Sequence, residues 1–301
     1  MGALIVSLAG TPAGEALALA LALLAALAHA IFGAVNKGGR DPWLNRGAIN
    51  ACYGAMAAPF ALFVTPWPSP ALWALLPGVW LIHLIYEALQ ARAYEIGGFT
   101  VVYPIARGAG PLIAALAAAA LFGEALGPWQ WAGLALLTAS IWGLAAANFR
   151  AAPADLPRLR GAVFFALLTG VMVAAYTVYD AWAIRAAEDP FTFLAWFFTL
   201  GGLGFPFVAL ARWRRLAPEA RPHPRELALR GLFGGLIAFL SFGAVMLALR
   251  LDKVGEAAAL RETSIVFATA IGVLVFRERV DALRLALIGL IVAAALLIEF
   301  G

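Results

Sequence analysis

The feature that most constrains this chain is the recurrence, from end to end, of apolar runs long enough to cross a lipid bilayer. Runs of about 18 or more apolar residues read as membrane helices, and here they leave no polar tract long enough for a separate soluble domain. Apolar residues make up 64% of the 301 and charged residues 13%, with a mean hydropathy of +0.90. Soluble domains are about 45–50% apolar and about 25% charged, so a chain of this size cannot hide so much apolar surface in its own interior. The runs are unbroken and rich in Ala and Leu, whereas membrane-barrel strands alternate in character over about ten residues. The expected class is all-α and integral to a membrane.

Turn chemistry divides the runs. "KGGRDP" (37–42), "TPWPSP" (65–70), "RAAPADLPRLR" (150–160) and "RWRRLAPEARPHPRE" (212–226) are the clearest breaks. They give ten predicted helices, near 14–36, 47–65, 71–92, 98–122, 128–148, 160–184, 191–211, 228–250, 254–276 and 280–299. The polar midpoint divides these into five-helix halves, 1–149 and 160–301. Of the 21 Lys and Arg, 16 fall in the odd-numbered connections, Arg46 counted among them. Three fall in the even ones (Arg185, Arg250 and Lys253), and Arg107 and Arg261 lie inside helices. Cytoplasmic connections carry the basic excess, so both termini are expected outside. The first apolar run lacks a basic leader, so "AHA" (28–30) is read as part of a retained helix and not a cleavage site.

The halves resemble each other. "EIG" (95–97) and "KVG" (253–255) each open a helix, and "FGE" (122–124) and "FRE" (276–278) each close one. Arg107 precedes Glu124 by 17 residues, and Arg261 precedes Glu278 by 17. Lys37 and Arg185 each stand four residues before Asp41-Pro42 and Asp189-Pro190. A copy with an odd number of helices enters the membrane from the opposite side, so the repeats are expected to be inverted, with a binding site where they meet near the midplane.

Ten helices in two five-helix repeats, with apolar fourth and ninth helices ending in "GE" and "RE", resemble the drug/metabolite transporter superfamily, and within it the EamA-type exporters. The resemblance covers nearly the whole chain. It implies a basket-like bundle around a central cavity lined in part by those two helices. It also implies ATP-independent transport of amino acids and other small metabolites across a bacterial inner membrane. Many such relatives hold both termini in the cytoplasm, and the loop charges here point the other way.

Arg107 stands about nine residues into its predicted helix, roughly 13 Å deep, and Arg261 is similarly placed. A charge at the bilayer centre costs on the order of 3 kcal/mol, which calls for water or an ionic partner. Pro104 and Pro111 remove backbone donors around Arg107, and Gly108 and Gly110 admit close neighbours. "RETS" sets Arg261 beside Glu262, Thr263 and Ser264. A guanidinium with hydroxyls beside it suits a carboxylate or phosphate, and Glu262 suits an amine. The expected site therefore contains Arg107 and Arg261 as anchors of an anionic group, with Tyr103, Glu262, Thr263 and Ser264 around them. The competing structural reading is that a carboxylate such as Glu262 or Glu87 neutralises each arginine and the pair only braces the bundle.

Further polar residues fall in apolar runs. His83 and Glu87 share a helix face, as a proton-coupling carboxylate or as a buried hydrogen-bonded pair. Asp180 stands among Tyr176, Tyr179 and Trp182, able to meet an aromatic or cationic substrate or to bond a tyrosine. These complete the candidate set (His83, Glu87, Tyr176, Asp180) and leave a second reading, a proton-coupled exporter of cationic or drug-like compounds. No cofactor is expected. His83 and Glu87 are too few for zinc, no GxxxxGK[ST] phosphate loop occurs, and three histidines are few for a membrane enzyme. The lone Cys52 excludes an internal disulfide. The net charge of +4 belongs to membrane loops, not to a nucleic-acid surface. Expected partners are membrane lipids, a small-molecule substrate and protons as the coupling ion, with the chain a monomer or homodimer. Gly231 and Gly235, at GxxxG spacing, are expected to pack within the bundle.

Overall fold

A computed structural model describes residues 2–36, 41–97, 99–108, 110–150, 156–274, 277 and 280–301. Lys37, Ala109, Phe276 and Glu278 lie outside these residues, and with them one partner of three of the four repeat matches. All regular structure among the described residues is helical. The helices are α1 (Gly2–Leu8), α2 (Pro12–Asn36), α3 (Pro42–Phe63), α4 (Pro70–Ile96), α5 (Phe99–Gly108), α6 (Gly110–Phe122) and α7 (Pro128–Arg150). Then follow α8 (Leu156–Ala186), α9 (Pro190–Gly201), α10 (Phe205–Arg215), α11 (Pro224–Leu251), α12 (Val254–Arg261), α13 (Ser264–Leu274) and α14 (Ala282–Phe300). Among the described residues nine stretches are long and apolar enough to cross a membrane, so the chain is a multi-pass membrane protein.

Two helices fall outside those nine, the seven-residue α1 and α3; of the two, α3 is long enough to matter here. Its 22 residues reach about 33 Å, enough to span a bilayer, but Asn45, Arg46 and Asn50 lower its hydropathy. It starts five residues before the predicted 47 because Asp41 caps it. The Asp41 carboxylate accepts from the amides of Trp43 (3.0 Å) and Leu44 (3.2 Å), and Pro42 follows at the first helical position. Asp189-Pro190 opens α9 by the same chemistry, with Phe191 N and Thr192 N donating to Asp189 at 3.3 and 3.2 Å. Arg46, assigned to a connection from the sequence, therefore lies inside a helix and points into the core.

Among the described residues two predicted helices are interrupted. The seventh breaks at Gly202–Gly204 between α9 and α10, where Pro206 has no amide to donate. At this break the backbone meets α3 directly: a Cβ on Gly54 would lie 2.5 Å from Gly202 Cα. The ninth breaks at Glu262–Thr263 between α12 and α13, where Glu262 N donates to Ala259 O (2.9 Å) and Thr263 N to Leu260 O (3.1 Å), a turn tightened to three-residue spacing.

Contacts between helix ends sort those ends into two groups. On the arginine-rich face, Arg212 bridges Asp41 (2.7 Å) and Glu95 (2.8 Å), joining the start of α3, the end of α4 and the end of α10. At the other end, Glu124 accepts from Arg185 (2.7 Å) and from the first amide of α12, Val254 N (2.8 Å). Arg185 also donates to Leu249 O and Asp252 O at the end of α11. Between these faces α11 lies against α2 and α3. A side chain at Gly231 would strike the Ala48 backbone, and Gly235 faces Cys52 and Tyr53, so the GxxxG pair does pack inside the bundle.

Candidate functional site

The polar side chains of the core converge where α2, α3, α4, α5, α8 and the α12–α13 turn meet. Arg107 of α5 is 4% exposed and donates through Nε to Glu262 Oε2 at 2.7 Å. Glu262 is 1% exposed. The contact saturates neither partner: Arg107 Nη2 and Glu262 Oε1 are buried without a hydrogen-bond partner among the described residues. Thr263 turns its hydroxyl to Leu260 O (2.6 Å), and Ser264 Oγ meets the Tyr103 hydroxyl at 3.2 Å. His29 of α2 stacks at 6.2 Å on Tyr103.

Arg261 ends α12. It is 4% exposed like Arg107, but its surroundings differ. Among the described residues its hydrogen bond is to the Tyr176 hydroxyl (Nη2, 3.1 Å), and its guanidinium sits 5.6 Å from the centre of that ring. Its Nε is buried and unpartnered, and no carboxylate oxygen among the described residues lies within 4 Å of it. The neutralised-pair reading thus fits Arg107 and fails for Arg261.

Tyr176 connects this arginine to the next group. The His83 ring lies 4.7 Å from the Tyr176 ring, and His83 Nε2 is 2.8 Å from Asp180 Oδ2. Asp180, 1% exposed, keeps Oδ1 without a partner among the described residues. The partner of Asp180 is therefore histidine, and not a tyrosine as one of its two readings had it. His83 and Glu87 do not bond to each other, as one of the two readings of that helix face had it: Glu87 accepts from Asn50 (2.7 Å) and has Arg46 Nη1 at 3.9 Å. Arg46 in turn donates to Gln90 and lies over the Tyr86 ring at 5.8 Å.

Residues 103, 107, 261, 262 and 264 thus form one end of this polar strip, with Thr263 bonded back to its own helix. Tyr176, His83 and Asp180 form the middle, and Glu87 lies beyond. Sequence reading missed Arg46 and Asn50. The signal was available in Asp41-Pro42, which starts α3 early enough to carry both into the core.

A small cavity with about 20 Å³ of room, close to the space one water molecule needs, lies between α3, α4 and the α9–α10 break. His83 and Glu87 line it, and Arg107 and Arg261 do not. In this conformation the arginines are enclosed by protein.

No curated protein matches the chain. A solved crystal structure is similar in fold at a TM-score of 0.70, covering 95% of this chain and 96% of its own, with 20% of residues identical. Residues 160–300 match the EamA-like transporter family, whose members are transporters and not enzymes. Residues 160–300 thus belong to the EamA-like transporter family, within the drug/metabolite transporter superfamily, and the chain is a membrane transporter.

Proposed function

We propose that this transporter is secondary active and exports a small polar metabolite with an anionic group, an amino acid or a related compound, across a bacterial inner membrane. Alternating access would come from two inverted five-helix repeats, 1–149 and 160–301, with α3 as the tenth span. The observation that carries the reading is Arg261: a buried cation with an unpartnered Nε and no carboxylate partner among the described residues. A buried charge without a counterion is costly, and a substrate carboxylate that supplies it offsets that cost on binding. Arg107, already paired to Glu262, contributes its remaining Nη2. Glu262 Oε1 and Asp180 Oδ1 are acceptors without donors among the described residues, suited to the ammonium of a zwitterion. Tyr103, Thr263 and Ser264 shape the wall, and the His83–Asp180 pair or Glu87 takes the coupling proton.

The test is gradient-driven counterflow in proteoliposomes, with amino acids, carboxylates, phosphonates and quaternary amines as test solutes. An anionic or zwitterionic solute is expected to exchange, and Arg261→Ala protein that still inserts is expected to lose the exchange. Normal turnover and affinity in that variant would remove the anchor and the reading with it.

A further inference from the structure

The short helix α12 is tied at both ends to the first half of the sequence. Its cap residue, Lys253, supplies no side-chain bond to the first turn, and Glu124 supplies one instead. Gly123, at φ 68°, turns the chain after α6, and Glu124 Oε2 then accepts from Val254 N at 2.8 Å. A carboxylate at a helix start meets free amides and the positive end of the helix dipole. Glu124 Oε1 accepts from Arg185 at 2.7 Å, and Arg185 is fastened to Leu249 O and Asp252 O at the end of α11. At its other end α12 finishes on Arg261, and the next residue, Glu262, is held by Arg107 at 2.7 Å.

We propose that α12 is the moving part of the arginine site and that Glu124 is the positioning residue that latches it shut, an inference that rests on the alternating-access reading above. Eight residues make a rod of about 12 Å, and all eight are buried. The tight turn at Glu262–Thr263 separates the rod from α13, and Asp252–Lys253 separates it from α11. Along its length the contact with α6 is alanine on alanine. Ala257 and Ala258 share an apolar cluster with Ala114 and Ala118, and Ala259 shares one with Ala115. Gly255 lets the two helices come close, since a Cβ there would lie 3.0 Å from that of Ala115. Single methyl groups bury little area each, so the polar ties position the rod. Gln130 adds a neutral tie near its start, donating to Glu256 at 2.6 Å.

The arginine site and the latch act on the same rod from opposite ends. An anion on Arg261 and on Arg107 Nη2 shares the Arg107 guanidinium with Glu262 and weakens the hold on that end of α12. Glu124 then sets whether the rod stays docked. Parting α12 from α6 opens a path of about 12 Å to Arg261 from the bundle end where Glu124 lies. The arginine-rich end has its own crossing, Arg212 to Asp41 and Glu95, on elements other than α12. The two ends are thus closed by separate ionic contacts, so one can open while the other holds.

The experiment is thiol labelling of the full chain in lipid nanodiscs, with no solute added. Cys52→Ala removes the native cysteine, and Ala258→Cys places a reporter in the α12–α6 contact. Labelling of a buried thiol by a water-soluble methanethiosulfonate follows how often its surroundings open. The reporter is expected to label slowly, and Glu124→Gln to speed it about tenfold, as for loss of hydrogen bonds to a charged group. A second reporter, Ala57→Cys, buried in α3 within a separate apolar cluster, is expected to keep its rate. Val254→Pro removes the amide that Glu124 accepts from and leaves the Glu124–Arg185 pair in place. Proline suits the first helical position, and Lys253 before it is already extended at φ −63° and ψ 138°. This variant is expected to speed labelling at Ala258→Cys about threefold. An unchanged rate there in either variant that inserts overturns the latch. So does an equal rise at Ala57→Cys, which would mean general loosening, or fast labelling in the parent, which would mean that α12 is not docked. Should Glu124→Gln fail to insert, Val254→Pro decides. With no solute present, the latch fails or holds on these rates alone, and the anion anchor fails or holds separately on Arg261→Ala counterflow.

Discussion

Arg107 and Arg261 occupy matching places in the two halves of the sequence, each 17 residues before a glutamate and each 4% exposed. Their partners nevertheless differ. Arg107 has a carboxylate at 2.7 Å, and Arg261 has a tyrosine hydroxyl at 3.1 Å. The carboxylate comes from Glu262, the residue after Arg261. One half of the chain thus supplies the counterion for the other half's arginine and receives none in return. Matching positions in sequence therefore need not carry matching electrostatic work, because a counterion is a property of the packed neighbour and not of the segment.

The largest expected effect tests the satisfied side of this comparison. Glu262→Ala strands Arg107 in the core, and loss of one partner of a buried pair costs about 3–5 kcal/mol. Thermal unfolding in detergent should show it. The double variant Arg107→Leu/Glu262→Leu should lose much less than the sum of the singles. Full stability of Glu262→Ala would mean that the pair contributes little and that the two arginines are more alike than their geometry says.

The unsatisfied side should respond in the opposite way. Arg261→Gln removes a buried charge that lacks a counterion, so the unfolding midpoint should stay near the parent's or rise. Substrate affinity should fall about 10–100-fold, the equivalent of about 1.5–3 kcal/mol for a hydrogen bond to a charged group. A destabilisation as large as that of Glu262→Ala would erase the distinction. Tyr176→Phe keeps the ring over the guanidinium and removes its hydroxyl; the expected loss is about 0.5–1.5 kcal/mol, read as a two- to tenfold change in affinity.

The smallest effect lies outside the membrane spans, at the α11–α12 junction. Burial, Glu256 and Glu15 push the Asp252 carboxyl up from its ordinary value near 3.8 to about 6. The folded state therefore holds this proton more tightly than the unfolded state. The contribution to stability is fully present below about pH 4 and is lost as pH rises through about 6. Asp252→Asn should accordingly stabilise the protein above pH 6 and match the parent at pH 4. Solvent screening of a partly exposed carboxylate limits the gain to no more than about 1 kcal/mol. Melting curves at pH 4, 6 and 8 would check it. A gain that is the same at all three values would refute the burial argument and leave only the two arginines as a pair set apart by their surroundings.

Much of the fold was legible in the chain itself. The membrane class follows from apolar runs, and helix starts such as Asp41-Pro42 and Asp189-Pro190 from a capping carboxylate followed by proline. The breaks in the seventh and ninth predicted helices were not legible, because apolar periodicity continues through Glu262–Thr263 and glycines are common in membrane helices. What fixes the Gly202–Gly204 break is the approach of α3, a contact between residues about 150 positions apart. The candidate site was legible as a set of residue types. Its pairings were not: His83 takes Asp180 across 97 residues, and Glu87 takes Asn50 across 37.

By itself, then, the sequence determined that this chain spans a membrane as helices, that two arginines lie deep within it, and that polar side chains gather around them. Those are one-dimensional properties, since the length and polarity of a segment decide whether lipid can be its solvent. Only the tertiary structure decided which arginine is neutralised, that Arg46 joins the core, and that His83 and Glu87 face a cavity which the arginines do not. Those depend on interactions that fall off within a few ångströms, between atoms that the chain brings together only once its helices are packed.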